Sequence, residues 1–202
     1  MPRPRIHDLD TVLDRAEALA VTDGTAAVTI RAVATASGMS NGAIYHSFGS
    51  RAELVARMWI RAAERFLAVQ RELVDAAPGV GTEAAVSAVV AAAEAPAVFA
   101  ERHPDSARLV TLLRHDELLA TGLPDPVAER VRAQHRALIA LLCGLAERLW
   151  GRHDAHAVDI VTACVVDLPT ALLLRRDRVT DPDILIRLRA AVRAAVTAAP
   201  PP

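Results

Sequence analysis

Asn41, Gly42, Ala43, His46 and Ser47 share one face of a short helical stretch from Asn41 to Phe48, with Ile44 and Phe48 on the other face. Amide and imidazole groups can hydrogen-bond to base edges, and small residues beside them let a helix N-terminus approach a nucleic acid closely. The backbone N–H groups of such an N-terminus also attract phosphate. Arg3-Pro4-Arg5 offers a second basic feature: a proline-containing arm that either reaches an A·T-rich minor groove or stays a solvated tail. Metal and redox chemistry are poorly served. His153 and His156 around Asp154, and His115-Asp116-Glu117, read as solvated helix ends, while Cys143 and Cys164 sit in apolar runs as buried hydrophobes. No metal, cofactor or catalytic residue is expected, since no Gly-rich phosphate loop, nucleophile elbow or zincin pattern occurs.

Helices must position these groups. The chain of 202 residues is dominated by Ala, Leu, Arg and Glu, with apolar residues recurring at three and four, which predicts an all-α fold. Net charge is −1, so binding to nucleic acid must come from local placement of charge rather than a globally basic chain. Hydrophobic residues make up 52%, yet the longest uncharged apolar stretches, Ala84 to Ala93 and Ile160 to Val166, are too short for a bilayer span. The N-terminus lacks an apolar signal core. No membrane partner and a cytoplasmic location are therefore expected.

Helices are predicted over about 9–22, 29–36, 41–48 and 51–75, then roughly 82–95, 97–102, 105–119, 126–150, 154–176 and 183–198. Thr29 is a predicted N-cap, Ser50-Arg51-Ala52-Glu53 reads as a capping box, and Asp125-Pro126 and Asp181-Pro182 read as N-caps followed by proline. Two short helices separated by Ser37-Gly38-Met39-Ser40 and packed on the first helix make a helix-turn-helix. This predicts a domain at residues 1–52 and a larger helical domain at 53–202.

The stretch TIRAVATASGMSNGAIYHSFGSRAEL, Thr29 to Leu54, resembles the DNA-binding domain of the tetracycline-repressor (TetR) family of bacterial transcription regulators. Ile30, Val33, Ala34, Gly38, Ser40, Ile44, Tyr45, Phe48, Glu53 and Leu54 fall at the spacing of that signature. The resemblance implies phosphate contacts from Thr29, Tyr45 and Arg51, the last where the family usually carries Lys. It implies base-edge contacts from Arg31, Asn41, Ala43 and His46, with Ser40 and Gly42 on the same DNA-facing surface. The sequence departs from the pattern at Ser47, where members often have His, and at Ala20, where an aromatic is common. The recognition helix also lacks Arg, leaving Arg31 as the strong charged reader.

Downstream, Val158, Val161, Val165, Leu168 and Leu172 form one stripe, and Ile160, Cys164, Ala171 and Leu174 a neighbouring one. Two apolar faces on one helix imply either a partner subunit or a large single-chain core. Val131, Leu138, Leu141, Leu145 and Leu149 give the helix over 126–150 a similar stripe. The family resemblance implies that these two helices form a four-helix bundle in a homodimer, which would present two recognition helices to a palindromic operator. It also implies an effector pocket, for which Trp59, Phe66, Phe99, Leu109, Leu112, Leu113 and Leu142 are candidate linings or else plain core. Aromatic residues make up only 3%, which favours an apolar small-molecule effector over a flat cofactor. Asp167 is expected to be a buried carboxylate, either paired with Arg or beside the kink at Pro169, or else facing the ligand.

Together these features lead to the expectation of a non-enzymatic, ligand-responsive DNA-binding regulator, most simply a repressor, although a corepressor or activator would use the same parts. Two rivals stand beside it. One is a helical-bundle enzyme or small-molecule-binding module with an incidental helix-turn-helix; the other is a structural protein that binds a different chain through its apolar helices.

Overall fold

The structure is a computed structural model and describes residues 6–198; Arg3 and Arg5 lie outside them. Its described elements are all helical, as the periodicity predicts. The chain runs α1 (Ile6–Asp23), a 3₁₀ turn (Thr25–Ala27), α2 (Ile30–Ser37), α3 (Asn41–Phe48), α4 (Arg51–Asp75) and α5 (Thr82–Arg102). It continues with α6 (Pro104–Leu112), α7 (His115–Leu119), α8 (Asp125–Trp150), α9 (Ala155–Thr162) and α10 (Pro182–Thr197).

Several boundaries differ from expectation for local reasons. α5 continues through Pro96 instead of breaking there. Proline has no N–H to give the carbonyl four residues back, and the buried Gln70 side chain supplies that donor, its Nε2 lying 3.0 Å from the Ala92 oxygen. The stretch expected as one helix over 105–119 divides into α6 and α7, and the Trp59 indole N–H donates to the Leu113 carbonyl at the break, 3.0 Å away. α8 starts at Asp125, with the Pro124 carbonyl accepting from Val127 and Ala128, so Asp125 is the first helical residue rather than the cap. Beyond α9 the helix continues through two wider π turns, Ala163–Asp167 and Thr170–Leu174, on either side of Pro169. Interrupting the regular i→i−4 ladder at a proline favours such widening.

Packing divides the chain into two units, residues 1–64 with 105–135, and residues 65–104 with 136–202. In the first, Val12, Ala16, Val33, Ile44, Phe48, Leu54, Met58 and Leu109 form a continuous buried core. In the second, Val89, Leu142, Leu145, Val161, Leu173, Leu188 and Val192 form another. Burial of each large aliphatic or aromatic side chain contributes about 1.5–3 kcal/mol. The expectation about membrane spans needs correction. Thr82–Arg102 and Ala155–Leu174 are each long and apolar enough to cross a bilayer by length and composition, because helix formation carries the apolar stretch through its isolated polar residues. More than half of the apolar window in Thr82–Arg102 is buried within the protein.

Candidate nucleic-acid interface

Local chemistry fixes the helix-turn-helix. Thr29 caps α2, its Oγ1 accepting the Ala32 N–H at 3.1 Å, and Ser40 caps α3 by accepting the Ala43 N–H at 3.1 Å. Each hydroxyl keeps its own hydrogen to donate outward. Between the helices Gly38 adopts φ 70°, a left-handed conformation that L side chains resist. The Met39 N–H then returns to the Ala34 carbonyl at 3.1 Å, closing the end of α2. Ile44 and Phe48 anchor α3 in the core at 0% and 1% exposure.

The opposite face of α3 points outward, as the sequence predicts. Asn41, Gly42 and His46 are exposed, Ala43 and Ser47 are half-buried, and Tyr45 is 64% exposed. Arg31 on α2 and the cap residues Thr29 and Ser40 are exposed as well. A Cβ built on Gly42 meets nothing within 4 Å. The fold therefore does not require glycine there, whereas close approach of a partner would use it.

Arg51, expected at phosphate, is held within the protein by two backbone contacts. Its Nε donates to the Val28 carbonyl at 2.7 Å and its Nη2 to the Thr25 carbonyl at 2.6 Å. Two of its three nitrogens thus tie α4 to the connection between α1 and α2. The capping box is half formed: Ser50 Oγ accepts the Glu53 N–H at 3.1 Å, but the Glu53 carboxylate turns to Arg57, 2.5 Å away. The Arg57 guanidinium also lies 5.7 Å from the Phe48 ring centroid, a cation–π contact beneath α3.

The residues expected to line an effector pocket fall into both packing units. Trp59 and Leu109 are buried in the first unit, with Leu113 half-buried and Leu112 53% exposed. In the second, Phe66 and Phe99 meet edge to face with centroids 5.4 Å apart, and Leu142 is buried. Asp167 is exposed rather than buried, on the π turn after α9 whose Cys164 and Val165 face the core; two residues on from Val165, it lies on the far side of the helix. Two open cavities occur in the second unit, of about 550 and 280 Å³, sharing Val74, Asp75 and Arg148; neither is lined by any of the eight expected residues. Among the residues expected at a subunit interface, Val131, Leu145, Val161 and Val165 are buried within their own units. Leu138, Leu141, Val158, Leu168 and Leu172 keep part of their surface open.

The sequence reading missed Glu17. Its carboxylate is 3% exposed, held by Arg61 on α4 and Ser106 on α6. The available signal was its register: Glu17 follows Leu13 by four and precedes Ala20 by three, so it lies on the apolar stripe of α1.

Residues 12–58 match the family model described as bacterial regulatory proteins, tetR family. No curated protein matches. Solved structures of similar fold include the TetR family transcriptional regulator PfmR from Thermus thermophilus, at 18% identity and TM-score 0.66, covering 92% of this chain and 96% of that one. A TetR-like transcriptional regulator from Rhodococcus sp. RHA1 matches at 20% identity and TM-score 0.67, covering 96% of each chain. The transcriptional regulator FadR from Bacillus subtilis, in complex with stearoyl-CoA, matches at 11% identity and TM-score 0.65, covering 94% of this chain and 98% of that one. At these identities the likeness establishes the fold.

Proposed function

We infer, from a chain whose residues 12–58 are a tetR-family N-terminal domain, that this protein is a ligand-responsive DNA-binding transcriptional regulator. The observation that carries the reading is the outward face of α3, where Asn41, Gly42, Tyr45 and His46 are exposed on a helix anchored by Ile44 and Phe48. Thr29, Tyr45 and Arg51 contact phosphates; Arg31, Asn41, Ala43 and His46 face base edges, with Ser40 and Gly42 close beside them. Arginine pairs with guanine and asparagine with adenine, each discriminating by about 1–3 kcal/mol. Arg3 and Arg5 extend the contact into a minor groove.

By role, residues 1–52 read DNA and residues 53–202 bind effector and dimerise, a division distinct from that of packing. The protein acts as a homodimer through α8 and the helix beginning at α9, and represses from a palindromic operator until a small apolar effector releases it. The open edges of Leu138, Leu141, Val158, Leu168 and Leu172 support the dimer. The Bacillus subtilis neighbour, crystallised with stearoyl-CoA, supports an effector with an aliphatic part. The protein is cytoplasmic, has no catalytic role and has no membrane partner.

The test is the affinity of the purified full chain for a labelled random-sequence duplex as salt is raised. A linear fall of log affinity with log salt is expected, since neutralised phosphates release counterions. Salt-independent retention or no binding would contradict the reading.

A further inference from the structure

Within the second packing unit, the C-terminal part of α4 and the C-terminal half of α8 leave a groove between them. Its volume of about 550 Å³ falls in the range of small-molecule pockets, about 300–1,000 Å³. Buried Val74 and Leu145 form the floor, with Leu141 half-buried beside them, and the exposed Arg71, Asp75 and Arg148 form the rim. On α8 the lining runs from Ala137 to Arg148, about 16 Å along the helix axis. The smaller cavity of about 280 Å³ prolongs it past the end of α4 to Gly81 and Ala84 at the start of α5. The space is therefore elongated and apolar beneath a charged edge.

That edge carries two guanidiniums against one carboxylate. Arg148 lies 3.7 Å from Asp75, beyond hydrogen-bond distance, and an exposed pair of this kind holds weakly. The Arg71 guanidinium has no hydrogen-bond or ion-pair partner among the described residues. A guanidinium presents a planar fork that matches a carboxylate. An uncharged apolar molecule would leave both forks unused, and a polyanionic head would bring surplus negative charge against Asp75. One acidic head on an aliphatic chain matches both the rim and the floor.

Gly144 keeps the groove open. Glycine inside a helix weakens it, and a Cβ built there meets nothing within 4 Å, so packing within the chain does not account for the residue. We propose that this groove binds an aliphatic carboxylate, its chain over Val74, Leu141 and Leu145 and its head between Arg71 and Arg148. As the effector's site it rests on the ligand-responsive reading above, whereas the binding is a property of the groove alone.

The test is calorimetric titration of the purified full chain, without DNA, with decanoate and with decan-1-ol. The proteins compared are the wild type, Gly144→Leu, and Arg71→Gln combined with Arg148→Gln. Saturable binding of one decanoate per chain is expected, with the alcohol about tenfold weaker for want of charge-assisted hydrogen bonds. The arginine double variant is expected to lose that preference. Gly144→Leu, which places a side chain in the groove, is expected to lose saturable binding while melting no lower than the wild type. Should it melt lower, the arginine variant, altered only at exposed positions, decides alone. No saturable decanoate binding, equal affinity for the alcohol, or undiminished binding by a stable Gly144→Leu would overturn the proposal. So would altered sedimentation of Gly144→Leu, which would put a second copy of the chain in the groove. Failure here leaves the DNA reading standing, and failure to bind any duplex would leave this binding intact.

Discussion

Arg51 donates its Nε–H to the Val28 carbonyl at 2.7 Å, fastening the first turn of α4 to the residue that precedes the α2 cap. A side chain expected to meet phosphate therefore also positions the helix-turn-helix itself.

Arg51→Lys separates the two roles. Lysine keeps the charge but cannot reproduce the fork across Val28 and Thr25. Both Arg51→Lys and Arg51→Ala are expected to lose about 1–2 kcal/mol of stability in thermal or urea unfolding. Below the melting range, Arg51→Lys is expected to keep more duplex affinity than Arg51→Ala. A lysine variant as stable as the wild type would remove the positioning role.

Gly42→Ala should be well tolerated by the fold. The added methyl has open space, and alanine in place of glycine within a helix contributes about 0.5–1 kcal/mol. Duplex affinity is expected to fall several-fold as the methyl holds α3 off the groove floor. Equal affinity alongside raised stability would place Gly42 away from DNA.

Much of this site was legible because its determinants are local. Ser40 and Thr29 cap their helices with their own side chains, Gly38 supplies a conformation few residues accept, and the spacing of Ile44 and Phe48 sets which face of α3 turns outward. What was not legible depends on partners distant in sequence. Glu17 is satisfied by residues 44 and 89 positions away, and the continuity of α5 through Pro96 relies on Gln70, 22 residues from the carbonyl it serves. Asp167 was expected inside because its sequence neighbours are apolar, yet only one side of the segment faces the core, and Asp167 lies on the exposed side.

At the proposed dimer interface, burial decides which substitutions are informative. Leu168→Asp with Leu172→Asp alters half-buried positions and is expected to yield folded monomers in sedimentation. Val165→Asp places a charge in the core of its own unit, at 3% exposure, and is expected to unfold the protein. A persistent dimer in the leucine double variant would put the interface elsewhere.

Asp154 gives an acid-stability signature at the start of α9. It caps the helix through the His156 and Ala157 N–H groups, both at 3.2 Å, and the Arg152 guanidinium bound to it holds its carboxyl down to about 2. An unfolded aspartate titrates near about 3.9. Because the folded value is the lower one, the stabilisation is complete above the unfolded value and disappears as pH falls through the folded one. The melting difference between wild type and Asp154→Asn is expected to narrow from pH 4 to about 2. A gap that stays constant over that range would exclude the ionised cap.

In the function proposed above, two copies of α3 read one duplex in a sequence-specific way. Its most direct measurement is sequencing of the duplexes that the purified protein enriches from a random pool. An inverted repeat is expected, with half-sites one helical turn, about 34–36 Å, or a multiple of it apart. An unenriched pool, or a single asymmetric site bound by one chain, would contradict it.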